Sequence, residues 1–251
     1  MKLTIITGAS RGLGAALAAA LLEPGQHLVC LARSSLAALA EKAGAKGCTL
    51  DVLRADLADP AAAAAALEDH LSGIDGGGLS EARLINNAGT VAPVAPADKL
   101  SAAEVAESVT VNLAAPIALT SAFLRASRAW NADRKILNIS SGAAHTPYQG
   151  WSVYCATKAG LDQFSRCVAL EQQGLSHGAR IVSLAPGIID TDMQASIRAV
   201  PPEDFPAQPR FVALKESGQL ATPEAAAQRI IAYMERGDFG ARTVADLRDT
   251  D

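Results

Sequence analysis

The chain has 251 residues, a formal net charge of −4 and 49% hydrophobic residues, of which few are aromatic. It is long enough for one large domain with a sizeable core, and its dispersed basic residues argue against a nucleic-acid surface. The apolar run after Lys2 is too short for a signal peptide or a membrane span, so we expect a cytoplasmic protein with no membrane partner.

Short apolar runs alternate with longer alanine-rich segments along the chain. The predicted strands are 3–7, 27–32, 48–53, 83–86, 135–140 and 180–185. The predicted helices are 15–22, 36–43, 60–71, 102–130 and 154–173. This alternation predicts an α/β fold: a Rossmann-type doubly wound parallel sheet with helices on both faces, formed as a single domain by residues 1–251.

A glycine-rich turn follows the first strand and opens the first helix. Its sequence, TGASRGLG, has the spacing Gly-x-x-x-Gly-x-Gly. Glycines let the backbone approach a pyrophosphate closely, and a helix N-terminus directs free N–H groups at it. The alternative is a tight βα turn without a ligand. The candidate cofactor-binding residues here are Gly8, Ser10, Arg11, Gly12, Leu13 and Gly14.

The second strand ends at Arg33, where NAD-preferring sites usually place a carboxylate for the ribose 2′-hydroxyl. Arg33 and Arg11 instead offer two guanidinium groups, which suit a 2′-phosphate. This favours NADPH (NADP) over NADH as the cofactor. Solvated surface charge is the other interpretation of either arginine.

Tyr154 and Lys158 are four residues apart, so a helix places them on one face. A phenol titrates near ~10 in water, and a neighbouring ammonium stabilises the phenolate and lowers that pKa. The pair therefore predicts an acid/base device. Such pairs also form solvated helix faces, so the surrounding motifs decide between the two interpretations.

Residues 187–218 are the least regular part of the chain and contain four prolines. They follow a predicted strand end, where open α/β sheets bind their ligands. We expect a substrate loop or lid here; a plain surface excursion is the alternative.

The four cysteines give no sign of a metal site. Cys30, Cys48, Cys155 and Cys167 form no Cys-x-x-Cys pair and have no metal-ligand spacing with histidine. We therefore expect reduced thiols and no metal.

Six motifs, in this order and at these separations, resemble the short-chain dehydrogenase/reductase family over nearly the whole chain. They are residues 7–14, Asn86-Asn87-Ala88-Gly89, Asn112, Ser141, Tyr154 with Lys158, and residues 186–191. The resemblance implies a catalytic tetrad of Asn112, Ser141, Tyr154 and Lys158. Tyr154 would donate a proton to the substrate oxygen, Ser141 would polarise the carbonyl, Lys158 would hold the nicotinamide ribose, and Asn112 would position a relay water.

The family's serine usually lies thirteen residues before its tyrosine, which selects Ser141 over Ser140. Asp56 resembles the adenine-contacting aspartate, although a charge at a helix N-terminus explains it equally well. The further cofactor-binding residues that the resemblance implies are Leu57, Asn87, Ala88, Gly89, Tyr154, Lys158, Pro186, Gly187, Ile189 and Thr191.

Within the family, the C-terminal third is similar to sepiapterin reductases and bacterial benzil reductases. Asp246 falls where the former anchor a pterin, with Asp249 as the fallback; the alternative is an acidic residue on an exposed tail. Trp151 and Met193 are expected to form apolar walls beside Tyr154 and Ser141 in the substrate site, although ordinary packing would also explain them. Tyr148 and His145 are further pocket or loop residues.

The resemblance therefore implies an NADPH-dependent carbonyl reductase for a sepiapterin-like or vicinal dicarbonyl substrate. A short-chain reductase or dehydrogenase for another small ketone or alcohol is the alternative. A non-enzymatic NADP(H) sensor is a third reading, which a broken tetrad would have favoured. The family often assembles through the helices at 102–130 and 154–173, so a homodimer is expected, with a tetramer as the other arrangement.

Overall fold

The computed structural model describes residues 1–249, whose seven strands form one parallel sheet in the order β3-β2-β1-β4-β5-β6-β7. The strands are β1 (Lys2–Thr7), β2 (Gln26–Ala32), β3 (Thr49–Arg54), β4 (Glu81–Asn86), β5 (Asp133–Ile139), β6 (Arg180–Ala185) and β7 (Val244–Asp246). The six predicted strands are confirmed to within two residues. The sequence did not indicate β7, because three residues are too few to show an alternating pattern.

Helices cover both faces of the sheet. They are α1 (Gly12–Ala20), α2 (Ala37–Ala45), α3 (Pro60–Ser72), α4 (Ala102–Val109), α5 (Ala115–Ala126), α6 (Ser152–Gln172), α7 (Asp192–Arg198), α8 (Gln208–Glu216) and α9 (Pro223–Glu235). One buried cluster joins the sheet to α1 and α9, and the second joins the other face to α3, α5 and α6. The doubly wound α/β fold expected from the sequence is confirmed.

The helical region predicted at 102–130 is less regular and ends earlier. A π-helical segment, Thr110–Ala114, interrupts it between α4 and α5. The region ends with α5 at Ala126, where the hydroxyl of Ser127 donates to the carbonyl oxygen of Phe123 at 2.6 Å. Residues 102–126 are long and apolar enough, by length and composition alone, to cross a membrane. They pack against α3 and α6 as a core helix of the fold.

The 187–218 segment is a packed element and contains α7 and α8, which the prolines hid from sequence analysis. Pro209 lies in the first turn of α8, where its missing N–H costs nothing. Phe205 is fully buried and stacks on Trp151, with ring centroids 4.5 Å apart. Gly150 permits this approach, because a Cβ there would lie 2.3 Å from the backbone oxygen of Asp204.

A polar cluster lies toward the amino ends of β2 and β3, away from the glycine turn. His27 Nε2 lies 2.6 Å from Oδ2 of Asp51, and His70 Nε2 lies 3.3 Å from the same oxygen. In residues 1–249 this is the one group of three such side chains close enough to share a metal ion. The 2.6 Å contact is a hydrogen bond that links edge strand β3 to β2, whereas His70 Nε2 of α3 makes no hydrogen bond within the described residues.

Candidate active site

The glycine turn is shaped by close backbone approach. Gly8 and Gly12 have φ of +71° and +54°, which L side chains rarely adopt. A Cβ on Gly14 would lie 2.2 Å from the backbone oxygen of Gly8, so only glycine fits at this position. Within residues 1–249, the N-cap residue Arg11 makes no side-chain hydrogen bond to the first turn of α1. The turn therefore offers free N–H groups and an open cradle, which fits the pyrophosphate of a dinucleotide.

The segment after β4 is tied directly to this turn. The hydroxyl of Thr7 accepts hydrogen bonds from the backbone N–H groups of Asn87 and Ala88, both at 3.0 Å, and the Asn87 amide donates to the Thr7 carbonyl oxygen at 3.0 Å. Gly8 packs against the same segment, since a Cβ added to Gly8 would lie 3.0 Å from the Cβ of Ala88. Thr7 is thus the residue that fixes this side of the cradle.

The arginines predicted to bind a 2′-phosphate are both exposed. Arg33 lies immediately after β2. Arg11 has 73% of its side chain exposed and a long 3.7 Å contact with Asp192. Both guanidinium groups are therefore exposed where a phosphate could reach them.

The next two predicted residues follow β3. Asp56 is exposed, and its carboxylate accepts the backbone N–H of Ala58 at 3.0 Å. Leu57 is half-buried and packs against the second core cluster. The helix-terminal alternative for Asp56 is incorrect in detail, because Asp59 is the N-cap of α3 and Asp56 closes the turn before it.

Tyr154, Ser141 and Lys158 meet where β5 ends and α6 begins. The Ser141 hydroxyl lies close enough to the Tyr154 hydroxyl to lower its pKa, and it accepts the backbone N–H of Ala143 at 3.1 Å. The ammonium of Lys158 lies 5.8 Å from the centre of the Tyr154 ring and donates to the carbonyl oxygen of Ile139 at 2.8 Å. Tyr154 is 8% exposed and Lys158 is 5% exposed. The arrangement places a proton donor, a hydroxyl and a cation on one buried surface.

Burial changes the acidity of both groups. Burial raises the pKa of Tyr154, and the neighbouring Ser141 hydroxyl partly opposes that rise. Burial lowers the pKa of Lys158 to about 8, against the charge of Asp162, which raises it. The expected lowering of the Tyr154 pKa by Lys158 is therefore not observed in the protein alone. Desolvation of the phenol is the dominant effect there.

Asn112 lies in the π-helical segment and is fully buried. Its side-chain oxygen accepts the backbone N–H of Thr90 at 2.8 Å, and its amide donates to the Thr90 carbonyl oxygen at 2.8 Å. A Cβ on Gly89 would lie 3.1 Å from Oδ1 of Asn112 and 3.7 Å from Nζ of Lys158. Asn112 thus joins the group formed by Tyr154 and Lys158, and π segments of this kind often mark functional sites.

The segment after β6 closes the cofactor side. Gly187 follows Pro186 with φ of +82°, and Ile189 is buried and forms a parallel bridge to Ala221. Thr191 is the N-cap of α7, and its methyl group would lie 3.3 Å from a Cβ on Gly12. This segment therefore packs directly on the glycine turn.

The predicted substrate residues lie in two places. Trp151 is buried, with its ring 5.4 Å from that of Tyr154, and the half-buried Met193 packs against the same apolar cluster. Asp246 ends β7 beside Ala185 of β6. Its carboxylate accepts two hydrogen bonds from the guanidinium of Arg248, at 2.9 and 2.6 Å, and one from the Arg248 backbone N–H.

Comparison with known proteins identifies the family. The short-chain dehydrogenase family model matches residues 2–201. The chain belongs to the short-chain dehydrogenase/reductase family. A benzil reductase ((S)-benzoin forming) of Bacillus cereus is 41% identical over 95% of this chain and 96% of its own length. The sepiapterin reductase of Meriones unguiculatus is 35% identical over 98% and 95% of the two chains.

Solved structures share the same architecture. One is assigned as an NAD(P)-dependent gluconate 5-dehydrogenase of Beutenbergia cavernae and holds NADP at low occupancy. It is 27% identical, with a TM-score of 0.82 over 98% of this chain and 94% of that one. As a member of the short-chain dehydrogenase/reductase family, this chain is an oxidoreductase acting on carbonyl or hydroxyl groups and binds an NAD(P) cofactor. The sensor alternative is not supported.

Sequence analysis missed two supporting residues of this short-chain reductase. Thr7 precedes the first glycine, and its spacing from the turn does not reveal that it bonds to residues eighty positions away. Asp162 lies four residues after Lys158, so the helical repeat that indicated the tyrosine–lysine pair also pointed to it.

Proposed function

We propose that the protein is an NADPH-dependent carbonyl reductase that transfers a hydride to a vicinal dicarbonyl or sepiapterin-like substrate. The placement of the Ser141 and Tyr154 hydroxyls side by side, next to the buried ammonium of Lys158, is the observation that carries the proposal. It gives one substrate oxygen both a proton donor and a hydrogen-bond partner.

Each member of the tetrad has a separate task. NADPH supplies the hydride when it is bound. Tyr154 donates its proton to the carbonyl oxygen as negative charge develops there, and Ser141 orients that oxygen with its hydroxyl. Lys158 holds the ribose hydroxyls and stabilises the tyrosinate that remains. Asn112, fixed by both of its hydrogen bonds to Thr90, shapes the route by which Tyr154 regains a proton.

The cofactor would lie across the carboxyl ends of the strands. The glycine turn would hold its pyrophosphate, residues 87–89 its adenosine ribose, and Pro186, Gly187, Ile189 and Thr191 its nicotinamide end. Arg33 and Arg11, both exposed at the rim, would bind the 2′-phosphate through charge and paired hydrogen bonds. The relative that holds NADP supports the same choice.

The surroundings of Asp246 favour a dicarbonyl over a pterin. Arg248 already occupies this carboxylate with the paired hydrogen bonds that a guanidino group would make. A pterin would have to displace Arg248 before Asp246 could anchor it, whereas an aromatic diketone needs no such anchor. The benzil reductase relative points in the same direction.

The apolar side of the substrate site would be formed by the residues around Tyr154. Trp151, Tyr148 and Met193 share one buried cluster with Tyr154 and with the 187–218 segment. The rings of Tyr148 and Trp151 are 5.1 Å apart. Movement of α7 and α8 over this cluster would open and close the site, in keeping with a substrate lid.

A homodimer in the cytoplasm is the remaining part of the proposal. Leu170 on α6 is 71% exposed and Val109 on α4 is 37% exposed, so the two helices that usually pair in this family present apolar side chains outward. Light scattering on the purified protein distinguishes a dimer from a tetramer.

The decisive experiment compares kcat/KM for benzil, sepiapterin and a simple monoketone, with NADPH and with NADH, in wild type and Asp246→Ala. Asp249→Ala is the matched control, because Asp249 is an exposed carboxylate three residues further along the chain. Benzil reduction unaffected by either change supports a dicarbonyl reductase. Sepiapterin reduction that collapses only in Asp246→Ala supports a pterin site.

Two results would contradict the proposal. Equal kcat/KM with NADH and NADPH would remove the cofactor assignment. No turnover of benzil or sepiapterin, with NADPH bound, would remove the substrate class and leave the short-chain alternative for another ketone or alcohol.

A further inference from the structure

A buried carboxylate lies one helical turn beyond the catalytic lysine. Tyr154, Lys158 and Asp162 follow one another at intervals of four on α6, so all three project from the same face. Asp162 is 1% exposed. A charged carboxylate is costly to bury unless it is paired and hydrogen-bonded, so its presence here calls for a physical reason.

One carboxylate oxygen is fully engaged. Oδ1 of Asp162 accepts the hydroxyl of Ser140 at the end of β5 and the hydroxyl of Ser183 on β6, each at 2.6 Å. These two donors orient the carboxylate and satisfy this buried oxygen. Ser140 therefore supports Asp162, while its neighbour Ser141 meets Tyr154.

The other oxygen makes an electrostatic contact. Oδ2 of Asp162 lies 3.0 Å from Nε2 of His145, but the ring is not aligned for a hydrogen bond. Oδ2 has no hydrogen-bond partner among residues 1–249. The titratable side chains around Asp162 in residues 1–249 are thus Lys158 of its own helix and His145 of the segment after β5, whereas β5 and β6 present serine hydroxyls. The His145 side chain is 57% exposed, so solvent screens its charge.

Lys158 needs this counter-charge. Its hydrogen bond goes to the neutral carbonyl oxygen of Ile139. Burial disfavours its ammonium form, and Asp162 is the charge that opposes this effect. We propose that Asp162 is a positioning residue of the active site, whose buried carboxylate keeps Lys158 in the ammonium form. The inference rests on the proposed function, in which that ammonium supports Tyr154.

The test measures the protonation of Lys158 directly. The side-chain resonance of Lys158 is followed by NMR against pH in lysine-labelled protein without cofactor, and it is assigned by its loss in Lys158→Met. Asp162→Asn keeps the shape of the side chain and removes its charge. We expect the midpoint of the Lys158 titration to fall by about one pH unit, the order expected for loss of a nearby opposite charge.

Matched variants separate charge from structure. Asp162→Glu keeps the charge and should restore the midpoint toward that of wild type. His145→Gln leaves the carboxylate in place and should not move it. Asp162→Ser provides a second neutral variant, which leaves room for a water between the two serines should Asp162→Asn fail to fold.

Activity gives an independent readout. If the midpoint moves from about 8 to about 7, kcat/KM of Asp162→Asn should fall roughly fivefold at pH 8 and hardly at pH 6. A loss of equal size at both pH values would indicate a merely structural role.

The two proposals can fail separately. An unchanged Lys158 midpoint in either folded neutral variant would overturn the role of Asp162, even in an active enzyme. A lowered midpoint in a protein that reduces no carbonyl would instead overturn the proposed function.

Discussion

Replacing Lys158 by methionine should remove activity and change how stability depends on pH. Burial lowers the pKa of this lysine from 10.5 to about 8. The folded value is the lower one, so folding opposes the protonated form. The resulting cost is fully present below about pH 8 and disappears as the pH rises to 10.5, where the unfolded chain also loses the proton.

The size of the effect follows from that difference. About 2.5 pH units at 1.36 kcal/mol per unit corresponds to roughly 3 kcal/mol. Between neutral pH and pH 10.5, wild type should therefore gain about 3 kcal/mol of unfolding free energy relative to Lys158→Met. The lost hydrogen bond to Ile139 and any change in packing affect both pH values alike, so they cancel in this comparison.

Urea unfolding of both proteins at the two pH values, followed by circular dichroism, measures this quantity. Lys46→Met, at an exposed lysine, is the control and should show no comparable change. A pH-dependent difference below about 1 kcal/mol for Lys158→Met would refute the argument that Lys158 is held charged against its burial.

Three further changes test other parts of the site. Arg33→Ala should raise KM for NADPH much more than KM for NADH, because the variant lacks the exposed guanidinium that would bind the 2′-phosphate. Equal increases in the two KM values would contradict this role for Arg33. Gly14→Ala should lower the unfolding free energy by about 1–3 kcal/mol and weaken NADPH binding, since its Cβ would lie 2.2 Å from the Gly8 carbonyl oxygen. Thermal unfolding measures the first effect and fluorescence titration with NADPH the second. A variant with unchanged stability and affinity would contradict the close-packed turn. Ser141→Ala should lower kcat by about 10²-fold or more and leave NADPH affinity unchanged, and a loss confined to KM would argue against a role in the transition state.

The sheet was predictable because six of its strands are short apolar runs whose flanking residues mark their ends. The doubly wound order follows from alternating strands and helices. β7 was missed, because three residues are too few to show an alternating pattern and their partner strand β6 lies about sixty positions earlier in the chain. The α7 and α8 helices were missed for a different reason: they are stabilised by packing on Trp151 and Phe205, and local propensity gives little sign of them.

The proposed catalytic group could be predicted because Ser141, Tyr154 and Lys158 fall at fixed intervals on one strand end and one helix. The pairing of Asp246 with Arg248 could not, since it depends on β7 ending at Asp246 and passing directly into a 3-10 helix at Leu247–Asp249. The acidity of Tyr154 was predicted in the wrong direction for the protein alone. Sequence shows that a lysine is near, but it does not show that burial of the phenol dominates its pKa.

Transfer of deuterium to benzil from NADPH that carries deuterium at both C4 positions, in wild type and in Tyr154→Phe, is the most direct test of carbonyl reduction by this protein. We expect one deuterium on the new carbinol carbon for each NADPH oxidised by wild type. We also expect loss of this transfer in Tyr154→Phe, with NADPH still bound. Undiminished transfer in the variant, or product without the label, would contradict carbonyl reduction with Tyr154 as the proton donor.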